Sequence, residues 1–128
     1  MVAFLSQGWC DAQRSLGAGL PERPGASARL QVVVTGAPSG EVHYVQHLDD
    51  GRIVACALGD DPEADVTLTQ TYADALLILQ GELDPSAAFM QGRVKVAGNM
   101  GRLMGVLPVL QSHEHHALTA SLAAQTEL

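Results

Sequence analysis

The residues best suited to metal chemistry are clustered at His113-Glu114-His115-His116. Imidazole and carboxylate groups are common zinc ligands. The cluster lacks the HExxH spacing, which places two histidines one helical turn apart around a glutamate, and no second cluster of ligands accompanies it. His43 and His47 would share one strand face, but lie about 13 Å apart at roughly 3.4 Å per residue. We therefore predict no metal site: His113-Glu114-His115-His116 begins a solvated helix, and the other two histidines lie at the surface.

The remaining candidates for catalysis are nucleophiles and paired carboxylates, and none stands in a recognisable motif. No serine lies in a GxSxG elbow, and neither Cys10 nor Cys56 lies in an activating motif. Two cysteines in a chain with a sufficient core are most simply free buried thiols in a reducing compartment. The pairs Asp49-Asp50 and Asp60-Asp61 fall in turns, and Gly98-Asn99-Met100-Gly101 lacks the lysine and the spacing of a phosphate-binding loop. We expect no catalytic residues, no cofactor and no enzyme activity.

The composition sets the size and the chemistry of the interior. With 128 residues the chain has the length of a single domain, 1–128, which can bury roughly 68% of its unfolded surface. Hydrophobic residues make up 47% of the chain but aromatic residues only 4%, so the core must be built from Leu, Val, Ala and Met. Such side chains pack adaptably and leave irregular space. This interior suits a flexible, apolar ligand.

The charge and the first residues argue against several partners and locations. A formal net charge of −7 and a pI near 4.9 oppose nucleic-acid binding, because phosphate recognition needs clustered Lys and Arg. The same charge limits contact with anionic membranes to a transient one. The opening MVAFLSQGWC lacks the basic region of a signal peptide, and no stretch has the length needed to span a bilayer. We expect a cytoplasmic protein.

The first half of the chain predicts a helix followed by four strands. An apolar stripe at helical spacing predicts a helix over residues 1–20, which Pro21 ends. The stripe consists of Leu5, Trp9, Ala12, Leu16 and Leu20. Apolar and polar residues then alternate over 30–34, 42–48, 53–58 and 66–69, which predicts strands. Asp50-Gly51 tolerates positive φ at both positions and predicts the hairpin turn between the second and third of them.

The second half predicts helices with defined ends and a fifth strand. Thr71, Asp84 and Asn99 are N-cap residues for three helices, and Gly81 and Gly92 end the first two. Residues 93–96 alternate as a strand, and the tail has the pattern of a weaker terminal helix. Five strands with grouped helices make an α+β domain. It comprises an N-terminal helix over 1–20, the sheet and helices over 29–111, and a tail over 112–128.

The helix after Asn99 combines an apolar stripe with two glycines. The stripe occupies positions i, i+3, i+4 and i+7, which are Met100, Leu103, Met104 and Leu107. Gly101 and Gly105 each cost about 1 kcal/mol relative to alanine in a helix interior. Two interpretations stay open at this point. The helix is either an ordinary core helix whose glycines allow close packing, or a movable flap over a cavity with methionines as adaptable contacts.

The segment ADVTLTQTYADALLILQGELDPSAAFMQGRVKVAGNMG closely resembles the sterol carrier protein type 2 family, also called non-specific lipid-transfer proteins. The strand at 65–68, the turn at 81–85, the Ala88-Phe89-Met90-Gln91-Gly92 run and the step at 96–100 carry the likeness together. It is clear over 64–108 and looser from about residue 30. The resemblance implies a five-stranded, mostly antiparallel sheet covered by helices, with a hydrophobic tunnel between sheet and helices.

The resemblance also implies a ligand and a set of wall residues. The ligand would be a fatty acid, an acyl-CoA or a sterol. The matching positions that would line the tunnel are Leu76, Leu77, Phe89, Met90, Val96, Met100, Leu103, Met104 and Leu107. The tail from His113 has no counterpart in the family's core, and it would cap the tunnel mouth, contact a second subunit or hang free. Because the family also occurs fused or bound to enzymes, a lipid-metabolism enzyme is a further possible partner.

Three functional hypotheses follow from these observations. The first is a carrier that holds an apolar ligand in an internal tunnel. The second is a non-catalytic accessory or dimerisation module, with a filled core, that docks on a lipid-metabolism enzyme or on a second copy of itself through the Met100–Leu107 helix. The third is a small metal-dependent enzyme that uses the histidine cluster, and it is the weakest because the ligand spacing is wrong.

Overall fold

The computed structural model describes residues 1–127 and has one main sheet, a two-stranded ribbon and five helices. In chain order the elements are β1 (Val2–Ala3), α1 (Gln7–Gly17), β2 (Ala28–Ala37), β3 (Gly40–Asp49), β4 (Arg52–Leu58), β5 (Val66–Thr71), α2 (Tyr72–Leu79), α3 (Pro85–Met90), β6 (Lys95–Gly98), α4 (Met100–Leu110), α5 (His113–Ala124) and β7 (Thr126–Glu127). This confirms the predicted α+β class with a five-stranded, mostly antiparallel sheet covered by helices.

The main sheet has the strand order β4-β3-β2-β5-β6. Its neighbours pair antiparallel except β2 and β5, which pair parallel, with Leu30 opposite Val66. The predicted turn at Asp50-Gly51 joins β3 to β4 with φ of 48° and 87°, as a tight hairpin of this kind requires. The helices α2 and α3 follow β5 and lie on the sheet face that also carries the other helices, since all five helices contribute to the lining of one cavity.

One face of the sheet is apolar because side chains alternate along each strand. In β2, Leu30, Val32 and Val34 are all at most 5% exposed and point toward the helices. On the opposite face, Gln31 is also buried, and both ends of its side-chain amide are hydrogen bonded. Its Nε2 donates to the Tyr44 and Gly59 carbonyls at 3.2 and 3.0 Å, and its Oε1 accepts from a backbone amide of the loop before β5 at 2.7 Å.

The first helix is shorter than the predicted 1–20. Leu5 has a φ of 63°, a left-handed conformation that a helix cannot contain, and Ser6 follows as the N-cap, accepting a hydrogen bond from the Trp9 amide. The preceding residues instead form β1, which pairs parallel with β7 at the other end of the described chain. At its C-terminal end α1 approaches β4 so closely that a Cβ on Gly17 would overlap the side chain of Ile53.

The tail forms α5 and β7. Ser112 caps α5, its hydroxyl accepting from the His115 amide at 3.1 Å. Leu118 and Leu122 of this helix are both buried in the core. The tail therefore closes the helical layer.

Candidate functional site

The interior contains a cavity between the sheet and the helical layer. Its volume is about 130 Å³, and it opens beneath α2, α3, α4 and α5. The apolar side chains that line it come from β2, β5, the helices and the loop before β6: Leu30, Val32, Leu68, Ile78, Pro85, Phe89, Val94, Leu103, Leu107 and Leu110. None of its lining residues among 1–127 carries a full charge. A cavity with such walls accepts hydrocarbon and rejects ions.

The polar part of this lining is confined to five side chains. They come from four different elements and are Gln13, Tyr44, Gln46, Gln70 and His115. Gln46 and Gln70 stand at inward-facing positions of strands, two residues from Tyr44 and Leu68 respectively. None of these five was predicted from the sequence. A polar residue at an inward position of an alternating strand was a signal that could have found the two strand glutamines.

The structure places three of the nine predicted wall residues, Phe89, Leu103 and Leu107, in the cavity lining. Leu77 and Val96 pack instead in a small adjoining cluster around Ala88. The remaining four, which do not line the cavity, are the partly buried Leu76 and the exposed Met90, Met100 and Met104.

The predicted and the observed lining residues of α4 differ for a simple geometric reason. The stripe predicted from the sequence began at Met100, whereas the face that lines the cavity runs through Leu103, Leu107 and Leu110. Both stripes have helical spacing, since the apolar run continues to Leu110. The contact of α4 with the sheet selects one of them and leaves Met100 and Met104 41% and 49% exposed.

His115 is the buried member of the histidine cluster. The prediction of a solvated helix start holds for His113, Glu114 and His116, which are exposed, but it is wrong for His115, which is only 7% exposed. The first turn of α5 turns this one side chain inward. Burial, with a smaller contribution from the charge of His116, lowers the pKa of His115 to about 4 against the opposing effect of Asp84. The ring is therefore neutral at physiological pH, and its Nδ1 has no hydrogen-bond partner within residues 1–127.

The other titratable candidates have structural surroundings. His116 Nε2 lies 2.9 Å from Asp84 Oδ1, which ties α5 to the N-terminus of α3. Cys10 and Cys56 are free and buried, as predicted. Hydrogen bonding with Cys10 and burial raise the pKa of the Cys56 thiol, while the same hydrogen bond lowers the pKa of Cys10 against the opposing effect of burial. No group of three or more His, Cys, Asp or Glu side chains that could hold a metal ion exists in the part of the chain that the structure describes.

Two further spaces adjoin the cavity. A second interior cavity of about 80 Å³ is bordered by Trp9 and shares five lining residues with the first: Gln13, Tyr44, Gln70, Ile78 and His115. A surface groove of about 450 Å³ runs between α5 and the α2–α3 connection. Ile78 lines all three spaces. Ile78 therefore stands between the interior and the groove, beside Pro85, Leu79 and Thr119, each of which borders the groove and one of the cavities.

A family model described as the SCP-2 sterol transfer family matches residues 13–111. The chain belongs to this family. Sterol carrier protein 2 of Rattus norvegicus is 46% identical over 73 residues, which are 56% of this chain and 13% of the relative. The chain thus spans only a small part of the curated relatives it matches. The matched region ends before α5, so His115 lies outside it.

Solved structures share the fold. The solution structure of a conserved hypothetical protein from Thermus thermophilus superposes with a TM-score of 0.76 at 21% identity, covering 95% of this chain and 91% of that one. The solution structure of palmitated SCP2L2 from Aedes aegypti gives a TM-score of 0.63 at 22% identity, covering 84% and 95% respectively. At these identities the likeness concerns the fold. Within residues 1–127 of the chain, no helix has the length and apolar character needed to cross a bilayer.

Proposed function

We propose that this chain is a carrier that holds one apolar lipid between its sheet and its helices. The observation that carries the proposal is the interior cavity, which is lined mainly by Leu, Ile, Val and Phe side chains and by no charged residue among 1–127. The rat relative is a sterol carrier protein, and the Aedes aegypti neighbour holds palmitate. The ligand would be a sterol, a fatty acid or the acyl chain of an acyl-CoA. Free buried thiols suit a reducing compartment, so we propose the cytoplasm as its location.

The cavity must enlarge when the ligand enters. Its 130 Å³ is below the roughly 300–1,000 Å³ of typical small-molecule sites. A large empty tunnel is costly, because each Å³ of unfilled cavity costs about 24 cal/mol. A lipid chain therefore fits only if the walls move apart, and burial of the chain offsets the cost of that movement.

Two parts of the wall are suited to opening. The helix α4 contains Gly101, Gly105 and Pro108, and Pro108 has no amide hydrogen to complete the helical hydrogen-bond ladder. Its outward displacement would widen the cavity beside Leu103 and Leu107. Rotation of Ile78 would instead join the cavity to the 450 Å³ groove, which is large enough for a lipid chain. We propose that the groove is the entrance and that α4 yields as the chain is inserted.

The energetics of burial favour the binding of many different lipids. Burial of each methylene contributes about 0.8 kcal/mol before ordering costs, so a twelve-carbon chain gains roughly 9 kcal/mol from burial alone. Few polar contacts are needed to reach useful affinity. A protein of this kind binds and presents lipids but performs no chemistry on them. An acyl-CoA would leave its charged nucleotide outside, because the described lining offers no counter-charge.

Lipid extraction and native mass spectrometry of the purified protein test the proposal. We expect a co-purified lipid, or else a gain in thermal stability when dodecanoate, 1-dodecanol or cholesterol is added. At 100 times its dissociation constant a ligand adds about 2.7 kcal/mol, which corresponds to a rise of roughly 10 °C in melting temperature for a domain of this size. Absence of bound lipid, together with no thermal shift for any of the three compounds at saturation, would overturn the proposal.

A second candidate function rests on the exposed methionines. Met100 and Met104 project from α4 away from the cavity, and Met90 of α3 is 83% exposed. This surface would let the domain dock on a lipid-metabolism enzyme. Replacing Met100 and Met104 by serine should abolish such docking and leave lipid binding intact. The docking function would be excluded if the doubly substituted protein delivered lipid to enzymes as well as the wild type does.

A further inference from the structure

The two interior cavities share a group of hydrogen-bonding side chains, which we call the polar junction and which consists of Gln13, Tyr44, Gln70 and His115. They come from α1, β3, β5 and α5, so four separate elements converge on one point. Gln13, Tyr44 and His115 are each at least 92% buried. A core position normally carries an apolar residue unless the polar group has a partner.

The polar junction retains unused hydrogen-bonding capacity. His115 Nδ1 is fully buried and has no partner within residues 1–127. The Gln13 side chain accepts a hydrogen bond at Oε1 from the Cys56 thiol at 3.5 Å. Trp9 Nε1, at the border of the second cavity, is likewise without a partner among residues 1–127. Buried groups of this kind each cost about 1–3 kcal/mol unless something satisfies them.

The junction is neutral as well as polar. No Lys, Arg, Asp or Glu among residues 1–127 lines either interior cavity. Desolvation keeps the His115 ring uncharged. A carboxylate placed here would lose its hydration without gaining a counter-charge, which is strongly unfavourable. A hydroxyl group is different, because it donates one hydrogen bond and accepts others, and amide and imidazole groups offer both functions.

We infer that the polar junction is an internal subsite for an uncharged oxygen of the ligand, and that the carrier binds lipid alcohols with the hydroxyl end innermost, in preference to carboxylates of equal chain length. This inference rests on the proposed function and narrows it to a ligand class. The hydrocarbon would extend from the junction through the apolar cavity toward Leu103 and Phe89. A fatty acid would bind in the reverse direction, with its carboxylate at the surface.

The test compares 1-dodecanol with dodecanoate at pH 7.5, by measuring the dissociation constants for the wild type and for His115→Leu. We expect the wild type to prefer 1-dodecanol at least tenfold. The substitution removes one buried hydrogen-bonding group, so we expect 1-dodecanol to bind about three- to tenfold more weakly while dodecanoate is unaffected. His113→Leu, the same change at an exposed position of the same helix turn, should alter neither constant.

The outcomes separate the inference from the proposed function. If neither compound binds to the wild type, the carrier function itself fails. If both compounds bind the wild type with equal affinity, or if His115→Leu weakens the binding of both alike, the carrier function stands and the hydroxyl subsite is refuted. Such a result is expected if ordered water alone satisfies the polar junction. Gln13→Leu supplies an independent second variant from α1, and circular dichroism confirms that each variant is folded. We expect Gln13→Leu to reproduce the selective loss of 1-dodecanol binding.

Discussion

His115 makes the stability of this protein depend on pH in a defined window. Its folded-state pKa of about 4 lies below the ordinary 6.5, chiefly because the ring is buried. Between these values the unfolded chain binds a proton that the folded chain does not, so stability falls as pH falls. At about 1.36 kcal/mol per pH unit, the loss attributable to His115 is about 2 kcal/mol at pH 5 and about 3 kcal/mol below pH 4. Above pH 6.5 this histidine has no effect on the pH dependence.

Urea denaturation at pH 7.5 and pH 5.0 measures this effect, when it is applied to the wild type and to His115→Leu. We expect the wild type to lose about 2 kcal/mol more than the variant over this interval. Carboxylates titrate in both proteins and cancel in the comparison. The contribution of His43 to stability cancels in the same way. Hydrogen bonds to Glu41 and then Asp60 raise the pKa of His43, so its contribution has the opposite sign and is lost as pH rises. If the free energy of unfolding changed equally in the two proteins, within about 0.5 kcal/mol, the conclusion that His115 is buried as a neutral imidazole would be refuted.

Two further substitutions test the packing that holds the site. Gly17→Ala should destabilise the fold by about 1–3 kcal/mol in thermal or urea unfolding, because the new methyl group would lie 2.7 Å from Ile53 Cδ1. Gly19→Ala is the matched control and should change little, because its methyl group would meet the Leu16 carbonyl oxygen at an ordinary contact distance of 3.6 Å. Gln31→Leu removes three hydrogen bonds, two from Nε2 and one to Oε1, and should cost about 2–3 kcal/mol while speeding amide exchange at Asp61. A neutral result for either substitution would show that the contact is not needed for stability.

Local features of the fold could be predicted because the sequence encodes them within a few residues. The N-caps Thr71, Asp84 and Asn99 each accept the hydrogen bond expected of them, from the amides of Asp74, Ala87 and Arg102. The glycines predicted to end α2 and α3 have the required left-handed backbone, with φ of 78° and 74°. Such signals need no knowledge of the rest of the chain.

The site was harder to predict because it depends on long-range placement. The choice between the Met100 stripe and the Leu110 stripe of α4 depends on how that helix rests on the sheet, which helical spacing alone does not determine. The inward turn of His115 depends on the position of α5, a segment for which the resemblance supplied no counterpart. Gln70 could have been found from the alternation of β5, but its proximity to Gln13 follows only from the packing of α1 against the sheet.

The most direct test of the central claim is the dissociation constant of 1-dodecanol for three proteins, namely the wild type, Ile78→Trp and Val54→Trp. Ile78 lines both interior cavities and the surface groove, so a tryptophan there should fill the space and block entry. Val54, 45% exposed on β4, lines none of these spaces and serves as the matched control. We predict at least tenfold weaker binding for Ile78→Trp and unchanged binding for Val54→Trp. Equal affinity in all three folded proteins would contradict a ligand held between the sheet and the helices.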